Sequence, residues 1–186
     1  MTPADRKLAT LIRAALRSRD LRVSISGLDR SDKGTLCAAL TAELELPLIK
    51  APDPGLVDLY SSRGHAAGLA HALGAALQLM LSPQRVIFDC ELLSVAAVHP
   101  EVDLSALQRW GDLVDLNILL DLPLEAAHER KPDPGAELRD REAEAARYRE
   151  LAARWPRAVV IDASRPPGEV LSQALQAVAR AIEVAP

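Results

Sequence analysis

The sequence predicts an α/β fold built on a doubly wound parallel sheet. Three observations carry that prediction. Five short apolar runs recur along the 186 residues. Each is β-branched or leucine-rich with little polar alternation, which is how strands covered on both faces read. Longer stretches with helical spacing separate them, and no internal repeat or long disordered linker interrupts the alternation.

The elements follow in order. "MTPADRKLATLIRAALRSRD" spaces Leu8, Leu11, Ile12, Ala15 and Leu16 as one face of an amphipathic helix over 1–20. A secretory signal needs a continuous apolar centre instead. An Arg-rich transit sequence is the alternative, but the segment runs into a strand with no cleavage-like break. "LRVSIS" (21–26), "LPLIK" (46–50), "RVIFDC" (85–90), "LNILLDL" (116–122) and "AVVIDA" (158–163) are the expected strands. Helices are expected at 33–45, 64–81, 91–98, 105–113, 124–131 and 137–154. The last helix follows "SRPPGE", where prolines suit a first turn, and carries Val170, Leu171, Ala174, Leu175, Val178 and Ile182 on one face. Right-handed crossovers then bring the strand C-termini to one edge, where ligands bind in such folds.

Bulk properties narrow the function classes. The length suits a single domain over 1–186. Hydrophobic residues make up 49%, yet no apolar run reaches the roughly 18 residues of a membrane span. A net charge of −4 leaves no global basic field for nucleic acid. Cys37 and Cys90 have no metal spacing and suit a reducing cytoplasm. His65, His71, His99 and His128 are scattered without ligand spacing and read as surface or helix-flank residues.

The chemistry concentrates in "SISGLDRSDKGTLCAAL", Ser24 to Leu40. A phosphate-binding loop has a glycine, four residues, a second glycine, a lysine and then Ser or Thr. Its N–H groups and the following helix N-terminus face the phosphates. Here Gly27 and Lys33 are in place, Asp32 replaces the second glycine, Gly34 replaces the hydroxyl, and Thr35 comes one position late. Aspartate tolerates a left-handed backbone, so the turn survives on paper. Its charge is the larger problem: two charges 4 Å apart interact by roughly 4 kcal/mol at an effective dielectric near 20, about a thousandfold in affinity. The loop therefore works only if the Asp32 side chain faces outward.

Four segments in order resemble the thymidylate kinase family of P-loop nucleotide kinases. "GLDRSDKGT" is similar to that family's loop, with Asp29 at its characteristic aspartate. "RVIFDCELLSVA" resembles the strand-ending Asp-Arg-Tyr segment followed by Ser. "DLVDLNILLDLPLEAAHERK" resembles the fourth strand and next helix. "YRELAARWPRAVVIDASRPPGEV" resembles the last strand, its Asp-Ala-Ser turn and the closing helix. The resemblance covers roughly residues 21 to 180. It implies a three-layer fold with a five-stranded parallel sheet in the order 2-3-1-4-5, to which the N-terminal helix is an addition. It implies transfer of a phosphoryl group from ATP to a nucleoside monophosphate such as dTMP, with Mg2+, in a homodimer packed through helices.

The same resemblance implies roles residue by residue. Gly27, Ser31, Asp32, Lys33, Gly34 and Thr35 would cradle the donor phosphates, with Lys33 bridging them. Arg30 would face the terminal phosphate. Asp29 would lie near the acceptor sugar and the metal. Asp89 would organise Mg2+, with Thr35 as a substitute ligand. Asp53, Tyr60, Arg63 and Ser94 would contact the acceptor. Arg130 and the turn Asp162, Ala163 and Ser164 would border the adenine.

The departures are specific. Cys90 stands where the family has an arginine for the acceptor phosphate, and a thiol cannot make that bidentate contact. Val98 and His99 alter the polar contacts around the base, and Pro52 replaces a usual arginine. The lid over 131–147 is several residues short, though Arg139 and Arg141 remain. Arg30 would then supply the charge the lid lacks.

Plainer readings stand beside these. Lys33 suits a surface lysine at a helix start, Asp29 a helix cap, and Arg63 a surface partner for Asp58. The "KAPDPG" and "KPDPG" stretches suit simple turns. The Arg/Glu run of 137–154, Arg139 and Arg141 aside, has the four-apart pairs of a solvated helix face. Two functions from different classes follow: a nucleoside-monophosphate kinase with low or altered acceptor preference, or a degenerate kinase fold serving as a binding or regulatory module. The extra first helix is also similar to P-loop kinases acting on nucleosides or small metabolites.

Overall fold

The computed structural model describes residues 1–28, 30–50, 65–89, 92–100, 102–130 and 138–184. Five strands form one parallel sheet: β1 (Leu21–Gly27), β2 (Leu48–Lys50), β3 (Arg85–Asp89), β4 (Leu116–Asp121) and β5 (Ala158–Asp162). Their order is β2-β3-β1-β4-β5. The helices are α1 (Pro3–Ala15), α2 (Lys33–Leu44), α3 (His65–Leu81), α4 (Leu92–Val98), α5 (Leu104–Gly111), α6 (Leu124–Arg130), α7 (Leu138–Ala152) and α8 (Pro167–Val184). The sequence places β2 over 46–50, but the strand starts two residues later. Pro47 has no N–H for the ladder and contributes only its carbonyl, which accepts from Ile87 N at 2.9 Å.

Alternation along the central strands sorts side chains between two layers. Val23, Ile25, Ile118 and Leu120 face one way and pack with α1, α2 and α8. On the opposite face Leu119 joins a cluster built from α3, α4, α5 and α7, while Val86 and Phe88 meet Leu79 of α3. Burial on both faces explains why β3 and β4 read as apolar runs; β1 alternates Val23 and Ile25 with Arg22, Ser24 and Ser26, and buries those polar residues too. No helix among the described residues is long and apolar enough to cross a membrane. Cys37 sits in the core with 0% exposure.

Two readings from the sequence need correction. His99 is not a surface residue: it is 2% exposed, and its Nε2 lies 3.2 Å from Nδ1 of the half-buried His71. The packing of α3 on α4 creates that pair across 28 residues, a distance that ligand spacing does not capture. The second correction concerns the Arg/Glu run. Glu150 and Arg154 do form an exposed four-apart pair at 2.8 Å. Arg147, however, donates to the Ala97 carbonyl at 2.6 Å, and Arg149 binds Asp121. Both anchor α7 to neighbouring elements, because one helix face turns toward the sheet.

Burial pushes the His71 pKa down to about 4, and repulsion from His99 adds to the shift. An unfolded histidine titrates near 6.5. Above that value both states are neutral and nothing is lost. As pH falls from about 6.5 toward 4, the unfolded chain takes up a proton that the native chain resists, so stability declines. His71 keeps solvent contact, so the loss is about 1–2 kcal/mol after screening. Thermal melts between pH 7 and 4 should therefore show a steeper decline for the native chain than for His71→Phe. Parallel declines would exclude the pair as the source.

Candidate functional site

The site begins where β1 ends. Gly27 has φ +148°, and a Cβ there would lie 2.5 Å from the Leu120 carbonyl oxygen, so only glycine fits this approach of β1 to β4. Two more left-handed residues follow within the loop, Arg30 at φ 73° and Asp32 at φ 61°. For non-glycine residues such conformations cost of order 1–3 kcal/mol each and gather at functional sites. Asp32 at φ 61°, ψ 30° thus holds the backbone shape that glycine holds in the usual motif. Its side chain makes no cap on α2; the residue is exposed and stands at the edge of a cavity beside the loop.

Lys33, the first residue of α2, arches back over the loop. Its Nζ donates to the carbonyls of Gly27 at 2.7 Å and Leu28 at 2.9 Å. The ammonium is thereby held at the mouth of the loop beside the N-terminus of α2, where unsatisfied N–H groups and the helix dipole favour an anion. Ser31 is 1% exposed, yet its hydroxyl has no hydrogen-bond partner among the described residues. A buried, unsatisfied hydroxyl is costly unless something meets it. At Gly34 no atom of the described residues lies within 4 Å of an added Cβ. The space that a serine or threonine side chain would take is open.

Beside the loop, a cavity of about 180 Å³ separates α2 from the turn after β5 and the start of α8. That is more than ten times the roughly 10–15 Å³ that holds one water. Leu36, Ala39, Val170 and Leu171 supply its apolar lining; Ser31, Asp32, Thr35 and Arg165 supply its polar edge. The turn is tightly made. Asp162 Oδ1 accepts from Ser164 N at 2.9 Å and Ser164 Oγ at 2.5 Å, and Oδ2 accepts from Arg165 Nε at 3.2 Å. The Ser164 hydroxyl and N–H hold the Asp162 carboxyl below its usual range. Ala163 is buried at the slot, and its N–H bonds the Asp121 carbonyl at 2.8 Å.

The loop, the slot and the Asp162–Ser164 turn therefore meet at the C-terminal edge of the sheet. Asp89 ends β3 at the same edge, in register with Ile25 of β1 and Lys50 of β2. Ser94 is buried, and its Oγ donates to Ser26 Oγ at 3.1 Å, directly below the loop. Thr35 lines the slot on α2, whereas Asp89 lies on the other side of β1, next to β2. Arg130 is the last residue of α6; its side chain, with those of Asp29, Asp53, Tyr60, Arg63, Cys90 and Arg139, lies outside the described residues. Among the described residues no group of three or more His, Cys, Asp or Glu could hold a metal.

Residues that the sequence reading passed over complete the site. Arg165, Gly168 and Leu171 border the slot. Arg149 grips Asp121 at the end of β4, with Nε at 2.9 and 3.0 Å from the two carboxylate oxygens and Nη2 at 2.9 Å from Oδ1. Asp121 had one available signal, an acidic residue ending a buried strand. Nothing in the Arg/Glu run distinguished Arg149 from its neighbours.

No protein-family model matches the chain, and no curated protein matches it in sequence. Solved structures do. Thymidylate kinase from Candida albicans aligns with a TM-score of 0.66 at 21% identity, over 85% of this chain and 90% of that one. The YorR protein of Bacillus subtilis, in complex with phosphorylated GDP, aligns at 0.63 and 18%, over 83% and 93%. Deoxyadenosine kinase from M. mycoides with bound dATP aligns at 0.61 and 15%, over 84% and 98%. At these identities the likeness is one of fold, and the fold is that of the P-loop nucleotide and nucleoside kinases.

Proposed function

We propose that the chain transfers the γ-phosphoryl group of ATP to a nucleoside monophosphate, with an acceptor preference altered from that of thymidylate kinases. The observation that carries this reading is the loop itself: a lysine ammonium drawn over Gly27 and Leu28, in the same loop as a buried serine hydroxyl without a partner among the described residues. Both suit a polyphosphate at the start of α2. The adjoining slot suits the planar base of the donor.

Phosphoryl transfer needs mainly positioning and charge neutralisation. The loop N–H groups and Lys33 would hold the β- and γ-phosphates, and Arg30 would meet charge on the transferring group. The bond from the γ-phosphorus to the β-bridging oxygen breaks as an acceptor phosphate oxygen bonds that phosphorus, leaving ADP. Mg2+ sites of this kind use one or two carboxylates beside substrate phosphates. Asp89 would provide one and Thr35 is the hydroxyl assigned with it, although the two stand on opposite sides of β1; the ion would supply further neutralisation. Asp29, Asp53, Tyr60, Arg63 and Ser94 are assigned to the acceptor; Arg130 and Asp162–Ser164 to the adenine. The reading includes a cytoplasmic location, where both nucleotides occur.

A panel of monophosphates with Mg·ATP, monitored for ADP, tests the proposal. Acceptor-dependent ADP is expected, and Arg30→Ala should depress it about tenfold or more, far beyond Arg139→Ala. A second reading, a nucleotide-binding or regulatory module without turnover, is favoured by one feature: Gly34 presents no hydroxyl to a metal. ATP binding without ADP formation would select it. The absence of both would sink the proposal.

The homodimer belongs to the same proposal. Leu69, Leu73, Leu77, Met80 and Leu81 are 41–85% exposed along α3, a helix with no charged residue. Their spacing places them on one side, and such a stripe suits a second copy of the same helix. Leu73→Glu with Leu77→Glu should convert a dimer to monomer in light scattering; an unchanged mass would remove α3 from the interface.

A further inference from the structure

The first helix is an addition to the alternating pattern, and its start lies against the candidate base slot. Asp5, in the first turn of α1, is 5% exposed. Its two oxygens serve different elements. Oδ2 accepts from Thr2 N at 2.7 Å and Thr2 Oγ1 at 2.8 Å, closing the capping box of α1. Oδ1 accepts from Ser172 Oγ of α8 at 2.7 Å, across 167 residues. Capping alone would need only the first set, and a capping carboxylate has no need of burial.

Ser172 stands one helical turn after Gly168, on the same side of α8. Gly168 lines the slot with Val170 and Leu171. The backbone N of Met1 lies 3.8 Å from the position of a Cβ on Gly168, so the residues leading into α1 reach the slot's rim. Residues 164–169 are all exposed, and Val170 is the first buried residue of this segment. The outer wall of the slot therefore has little burial of its own to hold it. Beyond the Asp162 turn that fixes Ser164 and Arg165, the hydrogen bond that Ser172 donates to Asp5 anchors the first turns of α8, and bonds to a charged acceptor are among the stronger ones.

We infer that Asp5 is a positioning residue for the base slot, holding the first turns of α8 through Ser172 so that the wall is formed before a nucleotide arrives. The inference rests on the reading of the slot as the donor-base site. It touches the base half of the donor and leaves the phosphate loop alone, which is what separates it from a general structural role.

Titration calorimetry with ATP and with inorganic tripolyphosphate reads the two halves separately. Ser172→Ala, which removes one hydroxyl and spares the fold, is expected to weaken ATP about fivefold through lost preorganisation. Tripolyphosphate binding should be unchanged. Ser172→Thr, which keeps a hydroxyl, should restore ATP affinity, and Asp5→Ala should reproduce the loss. Unchanged ATP affinity in Ser172→Ala, or equal weakening of both ligands, would overturn the inference while leaving the proposed function intact. A native chain that binds neither ligand would overturn the proposed function and the inference together.

Discussion

Gly27→Ala is expected to destabilise the protein by about 3 kcal/mol or more and to abolish ATP binding. Two independent costs add at this position. The backbone has φ +148°, where an L side chain is strained, and the new methyl would stand 2.5 Å from the Leu120 carbonyl oxygen. That carbonyl belongs to the middle of the sheet, where Gly27 and Leu120 are register partners, so it cannot swing aside as a side-chain end could. The methyl would also press on Ser31 Oγ at 2.9 Å, disturbing the hydroxyl assigned to the phosphates. For a chain of this length the expected loss of Tm is roughly 6–12 °C. Gly34→Ser is the control, since nothing among the described residues lies within 4 Å of a Cβ added there. It should leave Tm nearly unchanged. A Gly27→Ala protein that melts and binds ATP like the native one would refute the account of the loop.

Lys33→Met should reduce phosphoryl transfer by at least about a hundredfold. The substitution keeps the aliphatic stem and deletes the ammonium that donates to Gly27 and Leu28. Stability should change less, by about 1–2 kcal/mol, the cost of taking one partner from two carbonyls of buried residues. The contrast between the two variants is diagnostic. Gly27→Ala removes the loop's shape and with it binding, whereas Lys33→Met keeps the shape and removes charge. Full activity in Lys33→Met, with a lowered Tm, would make Lys33 a structural clasp only.

The outline of the fold was open to sequence reading because it rests on local properties. Apolar runs such as "VIF" in β3 and "NILL" in β4 are set by burial on both faces, and the helical spacing of 167–184 by a single buried face. The strand order came from the family resemblance rather than from periodicity. In the loop, the sequence supplied the positions of Gly27, Asp32 and Lys33 and the condition that Asp32 face outward. It could not supply φ at Asp32 or the exposure of that residue, which depend on how β1, β4 and α2 meet.

Three features belong to the tertiary structure alone. The slot joins residues 31–39 to residues 163–171; His71 meets His99; Arg149 selects Asp121. In each case the partners are far apart along the chain, and many sequence neighbours offer the same chemistry. Element type follows from patterns a few residues long, so the amino-acid order by itself determined it. Which arginine, histidine or carboxylate finds a partner depends on the packing of whole helices against the sheet, and only the folded chain decides that.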